Sequence, residues 1–146
     1  MTNDSSQIPI AKPRRYLLKK SEMVRGYRTF SSIISEGCLL KEKQFQCYFL
    51  HRPAGERTVF VGFAVGKSKG SAVLRNRARR KLREAYRLCK HHLLTESPLW
   101  SGELRVIFML TKSLDRHPES FLEMQHGMSR ILTKLNMRLA TTGTVQ

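Results

Sequence analysis

Between Gly62 and Glu84 the chain reads GFAVGKSKGSAVLRNRARRKLRE, and two phosphate chemistries compete for it. A glycine-bounded stretch running into Gly66-Lys67-Ser68 suggests backbone N–H groups wrapped around a mononucleotide, as in a G-x-x-x-x-G-K-[ST] loop. Such a loop needs four residues between its glycines so that successive N–H groups converge on one phosphate before the lysine arrives. Here Gly62 and Gly66 enclose only Phe63, Ala64 and Val65, and Val61 stands where the first glycine belongs. Phe63, Ala64 and Val65 also alternate as a strand would. The mononucleotide reading fails, and the basic residues that follow still need a partner.

From Lys67 to Arg87 there are nine basic residues in 21, namely Lys67, Lys69, Arg75, Arg77, Arg79, Arg80, Lys81, Arg83 and Arg87, against Glu84 alone. A solvated helix usually balances its signs through i,i+4 pairs, and this one does not. On a helix Arg75, Arg79 and Arg83 line one edge, with Asn76, Arg80 and Arg87 beside them. Guanidinium forks take phosphates bidentately and stack on bases, so an arginine-rich face suits structured nucleic acid, and Asn76 adds a neutral donor and acceptor. A merely solubilising face is the plain alternative. A membrane-surface helix would set Trp or Phe opposite the charge, whereas the apolar stripe here is Leu, Ala, Tyr and Cys.

The rest of the chain agrees with a polyanion partner. It has 146 residues, 40% of them hydrophobic, and 27 Lys and Arg against 11 Asp and Glu leave a net charge of +16. That length fits one domain, and that charge favours association with polyanions. No apolar run approaches the roughly 18–20 residues that span a bilayer, and the N-terminus has no apolar stretch of signal-peptide length, so a cytoplasmic location is expected. Cys38, Cys47 and Cys89 are odd in number and widely spaced, as buried thiols in a reducing compartment would be.

Several elements must position the basic segment. Residues 1–14 read as a flexible basic arm, 15–140 as one nucleic-acid-binding α/β domain and 141–146 as a tail. Phe30, Ile33 and Ile34 recur at helical spacing between Arg28 and Ile34, and Gly37 sits where a C-cap glycine would. Gln44–His51 and Thr58–Val65 read as strands joined by a Pro53/Gly55 turn, and are expected to pair as a hairpin. Leu74, Ala78, Leu82, Ala85, Tyr86 and Cys89 form one helical stripe. After a break at Ser97-Pro98, Leu104–Leu110 reads as a buried strand, Asp115–Pro118 as a turn, and Phe121–Leu139 as a closing amphipathic helix. This order suggests a sheet with helices packed on it.

Motifs for protein-borne hydrolysis are missing: there is no H-E-x-x-H, no Cys-x-x-Cys and no G-x-S-x-G. His91-His92 suits the end of the long helix. His51, His117 and His126 read as solvated, and neither a catalytic residue nor a metal site is assigned to this chain.

Lys67 to Glu84, K-S-K-G-S-A-V-L-R-N-R-A-R-R-K-L-R-E, resembles the signature of the bacterial ribonuclease P protein component, K-K-x-G-x-A-V-x-R-N-R-x-[KR]-R-x-x-R-[EQ]. Gly70, Ala72, Val73, Arg75, Asn76, Arg77, Arg80, Arg83 and Glu84 fall in register. A weaker likeness runs from about Leu17 to Leu139. The resemblance implies an α/β, two-layer α-β sandwich (ribosomal protein S5 domain 2-like) with a left-handed βαβ crossover, where pattern reasoning alone expects the right-handed one. It further implies a catalytic RNA subunit bound through Lys67, Lys69, Arg75, Asn76, Arg77, Arg79, Arg80, Arg83 and Arg87. A cleft for the single-stranded 5′ leader of precursor tRNA would involve Phe30, Tyr48, Ala64 and Ser68. As plain sequence, Phe30 also fits a core position and Tyr48 a strand position. Mg²⁺ would serve the RNA and substrate without a dedicated protein site, and neither a membrane nor an obligate protein partner is implied. Against the signature, Ser68 replaces a lysine, Ile34 stands where a second cleft aromatic is common, and Ser21–Arg28 reads as an insertion. On charge alone, a ribosomal or assembly protein that binds RNA without processing it fits equally well. A DNA-binding protein lacks a helix-turn-helix partner for the arginine helix.

Overall fold

The computed structural model describes residues 18–43, 45–95, 99–112, 114 and 120–144. The N-terminal arm, the Ser97-Pro98 break, the Asp115–Pro118 turn and His117 lie outside the described residues. In chain order the elements are α1 (Tyr27–Glu36), β1 (Cys38–Lys41), β2 (Phe45–Arg52), β3 (Thr58–Val65), α2 (Ala72–Cys89), α3 (His91–Leu94), β4 (Glu103–Leu110) and α4 (Phe121–Thr144). Short 3-10 turns occupy Lys20–Glu22 and Lys67–Lys69. The closing helix therefore runs through Thr144, into the stretch read as a tail.

Strand order is β1-β2-β4-β3, which corrects the expected hairpin. β4 lies between β2 and β3, antiparallel to the first (Phe45↔Leu110) and parallel to the second (Thr58↔Glu103). Apart from Arg105, its run LRVIFML is apolar on both faces, and a strand of that kind belongs in the middle of a sheet. Residues 53–57 then have only to bridge two strand spacings, about 10 Å. β2 instead makes its hairpin with β1, Cys38↔Phe49 to Lys41↔Gln46, a strand the sequence reading did not find.

Alternation sorts the side chains into two layers. Phe45, Cys47, Phe49, Val61, Phe63, Val65, Leu104, Val106, Phe108 and Leu110 face α2 and α4 and form the main core with their buried stripes. Tyr86 of α2 stands at its centre, 5.9 Å from the Phe63 ring and 5.7 Å from Phe108 between centroids. Leu82, fully buried, contributes about 1.5–3 kcal/mol by burial. The helix starts where Ser71 accepts a hydrogen bond from the Leu74 N–H, a polar N-cap. It stops at Cys89, and His91-His92 open the short α3 instead of ending α2. The β3–α2–β4 crossover thus joins adjacent parallel strands.

α1 crosses the other face of the sheet, with Ile33 fully buried beneath it. Tyr27 and Arg28 belong to this helix, so the stretch read as an insertion ends inside it. The residues before it strap the free edge of β3: Met23 pairs with Val61, the Val24 N–H donates to the Val61 carbonyl (2.8 Å), and Glu22 meets buried Lys90 at 2.9 Å. Gly26, at φ 87°, turns the strap into the helix in a conformation that favours glycine. Gly37 closes α1 in extended backbone and not as a left-handed cap. Glycine is needed there because a Cβ would collide with the carbonyl oxygens of Ile33 and Phe49. Beyond the hairpin, Glu42 accepts from Arg130 (3.0 Å) and Lys134 (2.9 Å), tying the β1–β2 turn to α4.

Two further expectations are corrected. Cys38 is exposed on the edge strand β1, while Cys47 and Cys89 are buried. His51 is half-buried and not simply solvated: its Nε2 lies 2.7 Å from the Ser101 carbonyl and its ring meets Trp100 edge-on at 5.6 Å.

Candidate RNA-binding site

The basic segment divides by environment. Lys67 and Ser68 are exposed on the turn after β3, and Lys69 is half-buried there. The turn is held by the Lys69 N–H on Gly66 (3.1 Å) and by the Leu114 N–H on the Lys69 carbonyl (2.8 Å). On α2, Asn76, Arg77, Arg80 and Arg83 are exposed, whereas Arg75, Arg79 and Arg87 are half-buried. Arg75 Nε donates back to the Gly70 carbonyl at 3.1 Å, bracing the turn against the helix start. Arg79 donates to the Asn76 side-chain oxygen. Arg87 forks onto Glu84 through Nε (2.8 Å) and Nη2 (2.7 Å). The hydrogen bonds from Arg87 hold the Glu84 carboxyl below the usual carboxylate range despite partial burial, and Glu84 in turn raises Arg87. Arg87 is thus neutralised within the helix, and the outward charge falls on Arg77, Arg80 and Arg83 with Lys67 from the turn.

The second candidate surface is on the opposite face of the sheet. Phe30 of α1 is half-buried over β3, where a Cβ on Gly62 would lie 3.0 Å from its ring, so glycine here makes room for the aromatic. Gly62 pairs with Ile107 and Ile107 with Tyr48, which places Phe30 and Tyr48 along one row across three strands. Ala64, Met109 and Gln46 form the next row, and the Gln46 amide donates to the Tyr48 hydroxyl at 2.9 Å. Phe30, Tyr48 and Ala64 therefore share one face as expected. Ser68 lies beyond the end of β3, on the turn that leads to the arginine helix. Met109 and Gln46, both half-exposed, belong to the same floor, with Ile107 fully buried beneath it, and all three were missed. Alternation within β2 and β4 was the signal for them, and it becomes readable only once β4 is known to lie between β2 and β3.

Among the described residues no three His, Cys, Asp or Glu side chains come together to hold a metal ion. None of the described helices is long and apolar enough to cross a membrane.

A family model described as Ribonuclease P matches residues 18–136, most of the chain and the whole of both surfaces. The chain belongs to the ribonuclease P protein family. The ribonuclease P protein component of Symbiobacterium thermophilum is 39% identical over 71 residues, 49% of this chain and 61% of that protein. That of Desulfovibrio desulfuricans is 34% identical over 86 residues, 59% of this chain and 66% of that protein. The matched region spans about three-fifths to two-thirds of these curated relatives. Two solved structures share the fold. The RNase P protein of Staphylococcus aureus has TM-score 0.60 and 22% identity over 80% of this chain and 96% of that one. The Thermotoga maritima protein has TM-score 0.61 and 23% identity over 77% and 96%. The mixed four-stranded sheet with its helices is thus the α/β fold of this family.

Proposed function

We propose that this chain is the protein subunit of ribonuclease P, binding a catalytic RNA through α2 and the Lys67–Lys69 turn, and the 5′ leader of precursor tRNA in the cleft beside α1. The observation that carries the proposal is the unbalanced arginine face of α2: Arg77, Arg80 and Arg83 are exposed together, while the acid of that helix, Glu84, is taken by Arg87. Cations arranged this way release counterions from a folded RNA and fix its register by phosphate contacts. Phe30 and Tyr48, half-exposed above a floor of Gly62, Ile107 and Ala64, offer flat apolar surfaces for splayed bases, which stack without regard to sequence. On this reading the protein supplies charge neutralisation and substrate positioning. Hydrolysis of the phosphodiester bond, assisted by Mg²⁺ on the RNA and substrate, belongs to the RNA subunit, and the complex works in the cytoplasm.

Reconstitution tests this directly. Adding the chain to a bacterial ribonuclease P RNA at low Mg²⁺ should stimulate cleavage at the tRNA 5′ end. Tight RNA binding without stimulated cleavage would identify an RNA-binding protein outside this enzyme, and a preference for duplex DNA in competition would refute the RNA reading altogether.

A further inference from the structure

One aromatic residue has no role in the surfaces described so far. Tyr27, the first residue of α1, is 85% exposed, the highest value among the described large hydrophobic side chains. Arg25 and Arg28 beside it are also exposed. An apolar ring held out in water between two cations adds nothing to the core, yet its place on the helix is well defined.

Helix geometry says which way that place faces. At 100° per residue, Thr29 and Glu36 fall on one flank of α1. Thr29 lines a groove of about 250 Å³ with Phe60 and Arg105, and Glu36 lies beside Leu50 and Arg105 in the adjoining hollow. Ile33 points into the sheet. Tyr27, Phe30 and Ile34 occupy the other flank, at i, i+3 and i+7, and Phe30 leans over Gly62 on the way to the Ala64, Met109 and Gln46 row. Tyr27 therefore extends the wall to which Phe30 belongs, one turn closer to the N-terminus. That end of α1 lies over β3, because the strap leading into it is paired to Val61. Side chains three apart on a helix stand about 5–6 Å from each other at Cβ, close enough for neighbouring nucleotides of one strand to reach both rings.

We propose that Tyr27 is a stacking residue of the cleft: it receives a leader base adjacent to the one on Phe30. This rests on the leader reading of the cleft and deepens it. Nothing in the matched signature of Lys67 to Glu84 bears on Tyr27, so the contact adds a determinant of leader affinity that depends on this chain's own strap. The strap acts here as a positioning element, since Met23 and Val24 on β3 and Glu22 on Lys90 set where α1 begins.

The test uses the reconstituted holoenzyme with precursor tRNAs carrying a long leader or one cut to two nucleotides. Truncating a stacked aromatic typically weakens binding by about 5- to 150-fold, and a ring that stacks on one face at the surface belongs near the low end, about 5- to 10-fold. Tyr27→Ala should show that loss with the long leader alone, leaving the short-leader substrate, affinity for the catalytic RNA and Tm unchanged. Tyr27→Phe should keep parental affinity, and Tyr27→Leu should behave like the alanine variant. With 2-aminopurine walked along the leader, one position should lose its quenching in Tyr27→Ala. If the parent discriminates leader lengths and Tyr27→Ala does so equally well, Tyr27 is not in the cleft although the cleft reading stands. Equal weakening of both substrates, or full rescue by leucine, also overturns the stacking role. A parent that ignores leader length removes the cleft reading itself, and the role of Tyr27 with it.

Discussion

Replacing Arg77, Arg80 and Arg83 together by alanine separates the ridge from a merely solubilising face. All three side chains are exposed, and none belongs to the buried stripe of Ala78, Leu82, Ala85 and Tyr86, so the fold should survive, with stability changed by no more than about 0.5 kcal/mol. RNA binding should change in a particular way. Each cation that neutralises a phosphate adds about 0.7 to 0.9 to the slope of log affinity against log salt, so three removed contacts should flatten it by about 2 to 3. Over a fourfold rise from 50 to 200 mM salt the parent should lose about 10³- to 10⁵-fold if it covers six to ten phosphates. The triple variant should lose about 20- to 40-fold less over the same range. Arg87→Ala is the internal comparison: because Glu84 already holds its guanidinium at 2.7 and 2.8 Å, its slope should stay close to the parent's. Filter binding or fluorescence titration with a bacterial ribonuclease P RNA at five salt concentrations gives both slopes. Parallel lines for parent and triple variant would refute the phosphate-binding role of α2, and an Arg87→Ala slope as flat as one-third of the triple's change would show that the Glu84 pair opens on binding.

Three other outcomes follow from the packing. Desolvation opposes ionisation of Glu42, but hydrogen bonds from Lys134 and Arg130 outweigh it and hold the carboxyl below its ordinary range. The clamp is therefore intact above the unfolded carboxylate's titration and is lost as pH falls through the lower folded value. Glu42→Gln should lower stability by about 1 kcal/mol at pH 7, because both cations stay half exposed, and the difference should vanish in acid melts. Gly37→Ala should cost about 1–3 kcal/mol in denaturant titrations, since the carbonyls of Ile33 and Phe49 have no room to yield. A thiol reagent at pH 8 should modify Cys38 at once and the other two cysteines only after unfolding, burial having raised both, Cys89 to about 11. Three fast-reacting thiols in the native protein would contradict that burial.

What sequence could reveal here depended on how local its cause was. α2 was legible because its stripe and its charges repeat within one helix, and β3 because TVFVGFAV combines β-branched residues with turn signals at both ends. β1 was not: CLLK has four residues with mostly exposed side chains, and only its pairing with Gln46–Phe49 makes it a strand. The β2–β3 hairpin was the natural reading of two strands and a Pro-Gly turn, and it failed because the apolar demand of β4, some forty residues on, claims the space between them. For the same reason the cleft was half readable, with Phe30, Tyr48 and Ala64 found and Ile107, Met109 and Gln46 hidden. Sequence also marked Arg87 as one more cation of the ridge, whereas its geometry pairs it with Glu84.

The pairing of Met23 with Val61 has a consequence for life at high local concentration. A polyanion gathers many copies of so basic a chain, and exposed strand borders would then invite one sheet to grow into the next. One border is bridged at Val61 by the protein's own backbone, and the other is only four residues long and ends in Lys41. Crowding on nucleic acid is therefore expected to leave these molecules as separate, exchangeable units.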